Sequence, residues 1–108
     1  DCIFCKIIEG EIPSHNVYED EKVIAFLDAN PTSKGHTLVV PKKHVENIHE
    51  ASGMDYMWDA IVEVSNAVKD AFGAEGINVN QNNGELAGQE VMHMHFHITP
   101  RYTGDEMF

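Results

Sequence analysis

Three histidines, His93, His95 and His97, stand at alternate positions in residues 93–99. Because successive side chains of an extended strand point to opposite faces, this spacing predicts three imidazoles on one face and the apolar residues between them in a core. Imidazole is largely neutral near pH 7 and easily protonated, so adjacent imidazoles suit nucleophilic attack and proton transfer. The alternatives are a structural cluster and a metal site, because imidazoles at i and i+2 can share a cation.

Of the three imidazoles, His95 is the best placed to act as a nucleophile. It has a histidine on each side, and a backbone carbonyl that accepts from one ring nitrogen would leave the other nitrogen free to attack. The flanking His93 and His97 would then serve as acid–base groups. A nucleophile between two proton-transfer groups is the interpretation that uses all three residues.

The composition restricts the partners of such a site. The chain has 108 residues, which predicts one domain over 1–108 with a single core. Its formal charge of -11 repels polymeric DNA or RNA, whereas histidines and backbone amides can still hold one small anionic nucleotide. No apolar run is long enough to span a bilayer and no secretory leader is visible, so we expect a cytoplasmic protein without a membrane partner.

The order of the elements predicts an α+β fold with a largely antiparallel sheet of about five strands. Apolar and β-branched runs predict strands at 15–18, 22–27, 36–40, 76–81 and 93–99, joined by loops that include the polar segment 82–88. A short helix is expected at 2–8, capped by Asp1 and stopped at Gly10, and a short helical turn is expected within 42–49.

One long helix is predicted to begin at the segment Ser52-Gly53-Met54-Asp55, interpreted as a capping box, and to end at Phe72 before Gly73. Its apolar residues recur at three- and four-residue steps, which predicts one stripe against the core. The stripe consists of Met54, Met57, Trp58, Ile61, Val64, Val68, Ala71 and Phe72.

The histidine run resembles the signature of the histidine triad (HIT) family, in which three histidines alternate with apolar residues; Thr99 departs at the last apolar position. Further segments resemble prokaryotic-type members in the same order along the chain: residues 2–8, 11–13, 18–20, 25–28, 35–44 and 87–89. The resemblance covers nearly the whole chain. It implies the HIT fold, in which a five-stranded, mainly antiparallel sheet is combined with one long helix and a short amino-terminal helix.

The resemblance implies a nucleotide hydrolase or transferase that acts at an α-phosphate. By the family pattern His95 attacks phosphorus, and water then releases a nucleoside monophosphate from the nucleotidyl-histidine. His93 and His97 would position the phosphate or move protons, and His36 matches a fourth histidine of the family. We expect a purine nucleoside phosphoramidase that releases AMP or GMP. The alternatives are a dinucleoside polyphosphate hydrolase and, from another class, a nucleotide-binding interaction module with incidental turnover.

Substrate contacts also follow from the resemblance. Asp28 would bind ribose hydroxyls, and the phosphate would be contacted by Asn82, Gly88 and Gln89. Ile3, Phe4, Phe26 and Leu38 would line the base pocket. The alternative interpretations are simpler. Asp28 would be a turn residue at the end of a strand, the residues of segment 82–89 would form an ordinary polar loop, and the four apolar residues would belong to the core.

Glu90 stands where one major branch of the family has a serine. Strict alternation back from His93 places its side chain on the opposite face, but a bulge would turn it toward the site. A carboxylate there would disfavour polyphosphate leaving groups.

Cys2 and Cys5 form a Cys-x-x-Cys pair, which by itself indicates zinc or redox chemistry only weakly. HIT relatives such as the galactose-1-phosphate uridylyltransferases combine such a pair with two histidines. The resemblance therefore implies a structural zinc site of Cys2, Cys5, His44 and His93, and two buried core thiols are the alternative. His93 is therefore a candidate both for the substrate site and for the metal site. No organic cofactor is expected, and family members usually form homodimers.

Overall fold

The computed structural model describes residues 2–105. Its helices are α1, Ile3–Ile8, and α2, Tyr56–Phe72, and its strands are β1, Asn16–Glu19, β2, Val23–Leu27, β3, Thr37–Pro41, β4, Gly76–Asn80, and β5, Phe96–Arg101. Two short 3-10 turns lie at Ile48–Glu50 and Glu85–Ala87. The strands form one five-stranded sheet in the order β1-β2-β3-β5-β4, with every neighbouring pair antiparallel. The predicted α+β architecture is confirmed.

Each face of the sheet buries a different set of apolar side chains. On one face α2 packs through residues such as Ile61, Val64 and Val68 against Val39 and Ile98. On the other face α1 contributes a second core, which consists of Phe4 with Ile24, Phe26, Leu38 and Val40. Removal of this apolar surface from water stabilises both contacts, and it fixes α1 over the sheet.

The long helix differs from its prediction at the amino-terminal end. It begins at Tyr56 rather than near Ser52, and its N-cap residue Asp55 makes no side-chain capping bond, so the predicted capping box was wrong. The stop at Gly73 is confirmed, because Gly73 adopts the left-handed conformation with φ 66.

The predicted stripe of α2 was wrong at two residues. Trp58 is 66% exposed, and Ala71 is exposed in the last turn. One residue along a helix corresponds to a rotation of about 100°, so Trp58 lies at the flank of the stripe that passes through Met57.

The histidine segment is only partly a strand. β5 begins at Phe96, so His93 and His95 precede it. The reason is a tertiary contact: the N–H of Met94 donates to the carbonyl of Val45, 2.8 Å away, and this contact replaces pairing with a neighbouring strand. Met94 and Ile98 nevertheless enter the α2 core as predicted.

Several smaller boundaries also differ. Segment 42–49 has no helical turn apart from the start of the 3-10 turn at Ile48–Glu50, and β4 ends at Asn80. The predicted cap Asp1 lies outside the described residues, and Cys2 is the N-cap of α1 through its sulfur, which accepts from the N–H of Cys5. Within 2–105 we find no helix with the length and apolar character needed to cross a membrane.

Candidate active site

A large open cavity lies on the α1 face of the sheet, with a volume of about 1390 Å³. Most of the predicted substrate and catalytic residues line it, namely Ile3, Phe4, Phe26, Asp28, His36, Leu38, Asn82, Gly88, His95 and His97. His93 and Gln89 do not belong to this lining. The fold therefore brings residues from widely separated segments to one place and separates His93 from the other two histidines of the run.

Strand register aligns four cavity residues in one row. Phe26 of β2 pairs with Leu38 of β3, Leu38 pairs with His97 of β5, and His97 pairs with Asn80 of β4. Directly paired residues project from the same face of a sheet, so these side chains form a continuous row. His97 separates the apolar part of that row from its polar end.

The tautomer of His95 is fixed by its hydrogen bond. Nδ1–H of His95 donates to the backbone carbonyl of His93 at 2.7 Å, because a carbonyl can only accept. In the neutral ring Nε2 therefore carries a free lone pair. His95 is 7% exposed, and the ring of Phe4 packs edge-on against it with 5.0 Å between centroids. The imidazole is held in one orientation with an unprotonated nitrogen, as a nucleophile requires.

A second chain of contacts fixes His97. The N–H of Thr32 donates to Nδ1 of His36 at 3.2 Å, which leaves the proton of neutral His36 on Nε2. That Nε2–H lies 2.9 Å from Nδ1 of His97 and donates to it. Neutral His97 consequently carries its own proton on Nε2. The pair presents one N–H donor, complementary to the free lone pair of His95.

Burial sets the charge state of this pair. It lowers the pKa of His36, an effect that the nearby Asp28 carboxylate opposes. It also lowers the pKa of His97, with help from His95 and His36, against the carboxylates of Asp28 and Glu90. Desolvation disfavours the charged form of an imidazole, so both rings are neutral near pH 7.

Glu90 lies on the cavity side, although strict alternation places it on the other face. Alternation does not apply here, because residues 88–92 belong to no strand. Its side chain is exposed, and its charge reaches His97. The lining therefore includes two carboxylates, Glu90 and Asp28.

In the loop of residues 82–89, which precedes the histidines, some residues line the cavity and others hold the loop in place. Asn82 and Gly88 line the cavity, and Gly88 has a positive φ of 92 with an added Cβ only 3.3 Å from Nδ2 of Asn82. Gln89 is buried instead. Its amide oxygen accepts from the N–H of Gly84 at 2.7 Å, and its amide nitrogen donates to the carbonyls of Glu46 and Val91. All these partners are backbone groups, so the Gln89 side chain braces the loop.

A second cluster joins α1 to the histidine segment. Sγ of Cys2 lies 3.2 Å from Nδ1 of His93, and Sγ of Cys5 lies 3.3 Å from Nδ1 of His44. Nε2–H of His93 donates to the carbonyl of Pro41 at 2.8 Å, so its Nδ1 lone pair points toward the sulfurs. Burial is the main cause that lowers the pKa of His93. Neither cysteine is fully buried, which argues against core thiols.

The four residues of this cluster fit a zinc ion. Their ligand atoms all lie within 4.8 Å of one another. Zinc bonds of about 2.3 Å to sulfur and about 2.0 Å to nitrogen, at tetrahedral angles, separate such ligand atoms by about 3.5 Å. Burial and the neighbouring Cys2 thiol raise the pKa of Cys5 to about 11 when no cation is present. A bound dication would reverse that effect and favour the thiolate.

The idea of one metal shared by the three histidines at 93–97 is not supported. Within residues 2–105 two groups have metal-binding spacing, and the second consists of Asp28, His36 and His97. Neither group contains all three of those histidines. Because His36 already accepts from the N–H of Thr32 and donates to His97, we assign these two histidines to hydrogen bonding with substrate rather than to a metal.

The sequence interpretation missed the far end of the cavity. Asn78, Asn80, Thr99 and Arg101 line it there. The available signal was the polar alternation of Asn78 and Asn80 within a strand, but which strand lies beside β5 depends on sheet order.

Comparison with known proteins supports the resemblance. The family model for the HIT domain matches residues 9–104. Adenosine 5'-monophosphoramidase hnt1 of Schizosaccharomyces pombe is 49% identical over 93% of this chain and 74% of its own length. Adenylylsulfatase HINT3 of Arabidopsis thaliana is 43% identical over 97% of this chain and 54% of its own length. The crystal structure of SMU.412c from Streptococcus mutans is 47% identical, covers 100% of this chain and 70% of that one, and superposes with a TM-score of 0.95.

The five-stranded antiparallel sheet and the long helix of this chain therefore match the fold of that solved structure. The chain belongs to the HIT family.

Proposed function

We propose that this protein is a purine nucleoside phosphoramidase, which releases AMP or GMP through a nucleotidyl intermediate on His95. The observation that carries the proposal is the hydrogen bond from Nδ1–H of His95 to the carbonyl of His93, which leaves Nε2 unprotonated in the cavity lining. The phosphoramidase activity named for the hnt1 relative supports the same choice.

The nucleoside would lie over the apolar part of the cavity. Ile3, Phe4, Phe26 and Leu38 offer apolar contacts to a purine, and the Asp28 carboxylate can accept from two ribose hydroxyls. This places the α-phosphate beside His95 and His97. Asn82 and the backbone at Gly88 would then contact phosphate oxygens from the loop side.

The first step joins Nε2 of His95 to phosphorus as the P–N bond to the leaving amine breaks. The departing nitrogen takes one proton from solvent through the open cavity, and Nε2–H of His97 donates to a phosphoryl oxygen on which charge develops. His36 keeps His97 in the donating tautomer. His95 then carries the nucleotidyl group, with Nδ1–H still bonded to the carbonyl of His93.

The second step returns the enzyme to its starting state. Water attacks phosphorus, loses one proton to solvent, and breaks the bond to Nε2 of His95, whose electron pair returns to the ring. The products are the nucleoside monophosphate and a free amine. One displacement with a poor leaving group thus becomes two easier displacements.

The charge of the cavity favours an amine over a polyphosphate as leaving group. Asp28 and Glu90 both line it, and the guanidinium of Arg101 is paired with Asp105 at 2.7 Å. An anionic leaving group would meet uncompensated negative charge. This favours the phosphoramidase over the dinucleoside polyphosphate hydrolase.

Cys2, Cys5, His44 and His93 would hold zinc as a closed tetrahedral site. When bound, the ion would cross-link α1 to the segment before β5. The same cluster holds the His93 carbonyl that orients His95, so it acts on the nucleophile indirectly.

We also propose a homodimer. Trp58 on α2 is 66% exposed, and Val79 is 47% exposed on the edge strand β4. Association would cover these apolar side chains. Sedimentation of the purified chain tests this proposal. We expect a dimer at micromolar concentration, and a monomer would contradict the proposal.

The activity is tested by offering the protein an adenosine phosphoramidate and a diadenosine polyphosphate. We expect AMP to appear from the phosphoramidate at a much higher kcat/KM. Faster cleavage of the polyphosphate would favour the hydrolase alternative, and turnover of neither would favour a binding module.

A further inference from the structure

The cavity continues past His97 over a polar surface on β5 and the edge strand β4. Asn80 pairs with His97 and Asn78 pairs with Thr99 across β4 and β5. Residues two apart on a strand share a face, so all three side chains lie on the cavity side with His97. We call Asn78, Asn80 and Thr99 the polar shelf, and all three line the cavity.

The polar shelf lies on the side of His97 that the nucleoside does not need. Leu38 and Phe26 occupy the same row on the other side of His97, on β3 and β2. Neighbouring strands are about 4.8 Å apart, so a phosphate at His97 has the apolar residues one strand away and Asn80 one strand away in the opposite direction. With the base over the apolar side, the other substituent on phosphorus extends toward the polar shelf.

The polar shelf offers hydrogen bonds that the chain itself does not use. In the part of the chain that the structure describes, none of its three side chains hydrogen-bonds to another residue. Asn78 and Asn80 are exposed in the single chain, on the face of β4 opposite to Val79, whereas Thr99 is only 7% exposed. An asparagine amide both donates and accepts, so it suits a neutral polar group. The surrounding charge is unfavourable to anions, because Glu90 lines the cavity and Arg101 is already paired with Asp105.

We propose that the polar shelf is a leaving-group subsite, which accepts an amine whose own chain ends in an uncharged or cationic hydrogen-bonding group. The inference rests on the proposed phosphoramidase activity and adds to it the class of amine that is released. A leaving amine with an arm of about 5 Å, roughly four carbon atoms, reaches from the phosphate to the neighbouring strand.

Three adenosine phosphoramidates test this subsite. One releases ammonia and has no arm, one releases 5-aminopentanamide, and one releases 5-aminopentanoate. The readout is the ratio of kcat/KM for an armed substrate to kcat/KM for the unarmed one. Because both values come from the same preparation, a partly unfolded variant leaves the ratio unaffected. In the wild type we expect the ratio for the amide arm to exceed that for the carboxylate arm.

Asn80→Ala, and Asn78→Ala combined with it, should lower the amide-arm ratio about tenfold, the loss expected for one or two hydrogen bonds. Asn66→Ala is the matched control, since Asn66 is exposed on α2 at the other face of the sheet. An amide-arm ratio that stays at the wild-type value in both shelf variants overturns the subsite while leaving the phosphoramidase proposal intact. Absence of turnover of all three substrates by the wild type overturns the proposed function itself.

Discussion

Nε2 of His36 lies 2.9 Å from Nδ1 of His97, and the Thr32 N–H on the other side of His36 decides which of the two rings donates. This hydrogen bond fixes the tautomer of neutral His97, so that its Nε2–H is the donor. His36 immediately precedes β3 and lies 61 residues before His97 in the sequence, so the site is preorganised by the sheet rather than by local sequence.

The first prediction concerns the donor role of His36. His36→Ala removes the hydrogen bond to Nδ1 of His97, so the proton of His97 can move to that nitrogen and leave the phosphate unbonded. We expect kcat to fall at least about tenfold. His36→Gln places an amide N–H near the same position and should retain more activity. Equal kcat values for the two variants would contradict the tautomer argument.

The second prediction concerns stability and pH. Burial lowers the pKa of His36 and His97 below the value of 6.5. Unfolded chains therefore bind protons on these rings at higher pH than the folded protein does. The stability contribution is full above about pH 6.5 and is lost as pH falls toward the folded pKa values.

Thermal unfolding measures this effect. The Tm of the wild type should fall between about pH 7 and about pH 5 by more than the Tm of His36→Gln combined with His97→Asn, which lacks both imidazoles. Both proteins keep the same cysteine and histidine cluster, so its protonation cancels in the comparison. A parallel fall in the two proteins would show that this pair contributes nothing.

The third prediction concerns metal binding. His44→Ala removes one ligand atom of the cluster, whereas His49→Ala removes another exposed histidine outside it. Elemental analysis of protein purified without chelator should give about one zinc per chain for wild type and His49→Ala, and less for His44→Ala. A chelator should lower the Tm of the first two proteins. Zinc content near zero in the wild type would contradict the site.

The fourth prediction concerns Glu90 and the charge of the leaving group. Glu90→Gln removes one carboxylate from the cavity lining, so activity on a diadenosine polyphosphate should rise relative to activity on a phosphoramidate. We expect a change of about fivefold, which corresponds to about 1 kcal/mol for charges separated by a few ångströms of water. Glu85→Gln is the control, because Glu85 is exposed and does not line the cavity. The same shift in both variants would point to net charge alone.

Local patterns predicted much of the fold, because they are set by residues close in sequence. The apolar spacing of α2 and its stop at Gly73 are examples. The placement of Met94 and Ile98 on the face opposite the imidazoles is another. Family resemblance added the positions that meet in the cavity.

Tertiary contacts decided what the patterns could not. Alternation predicts equivalent positions for the three histidines. In the structure, contacts with the carbonyl of Pro41 and the sulfur of Cys2 hold His93 in the cysteine and histidine cluster instead. Gln89 was predicted to contact phosphate, but its partner Glu46 lies 43 residues away in sequence. Asn80 is beside His97 because of the sheet order β3-β5-β4, which no local period specifies.

In the proposed mechanism His95 carries the nucleotidyl group, and the mass of the protein during turnover tests this directly. Wild-type protein mixed with an adenosine phosphoramidate and denatured rapidly at alkaline pH should gain one adenylyl group, located on the peptide that contains His95. His95→Ala should show neither the adduct nor release of AMP while keeping a folded circular-dichroism spectrum. An adduct on a different residue, or AMP release that survives in His95→Ala, would contradict the account.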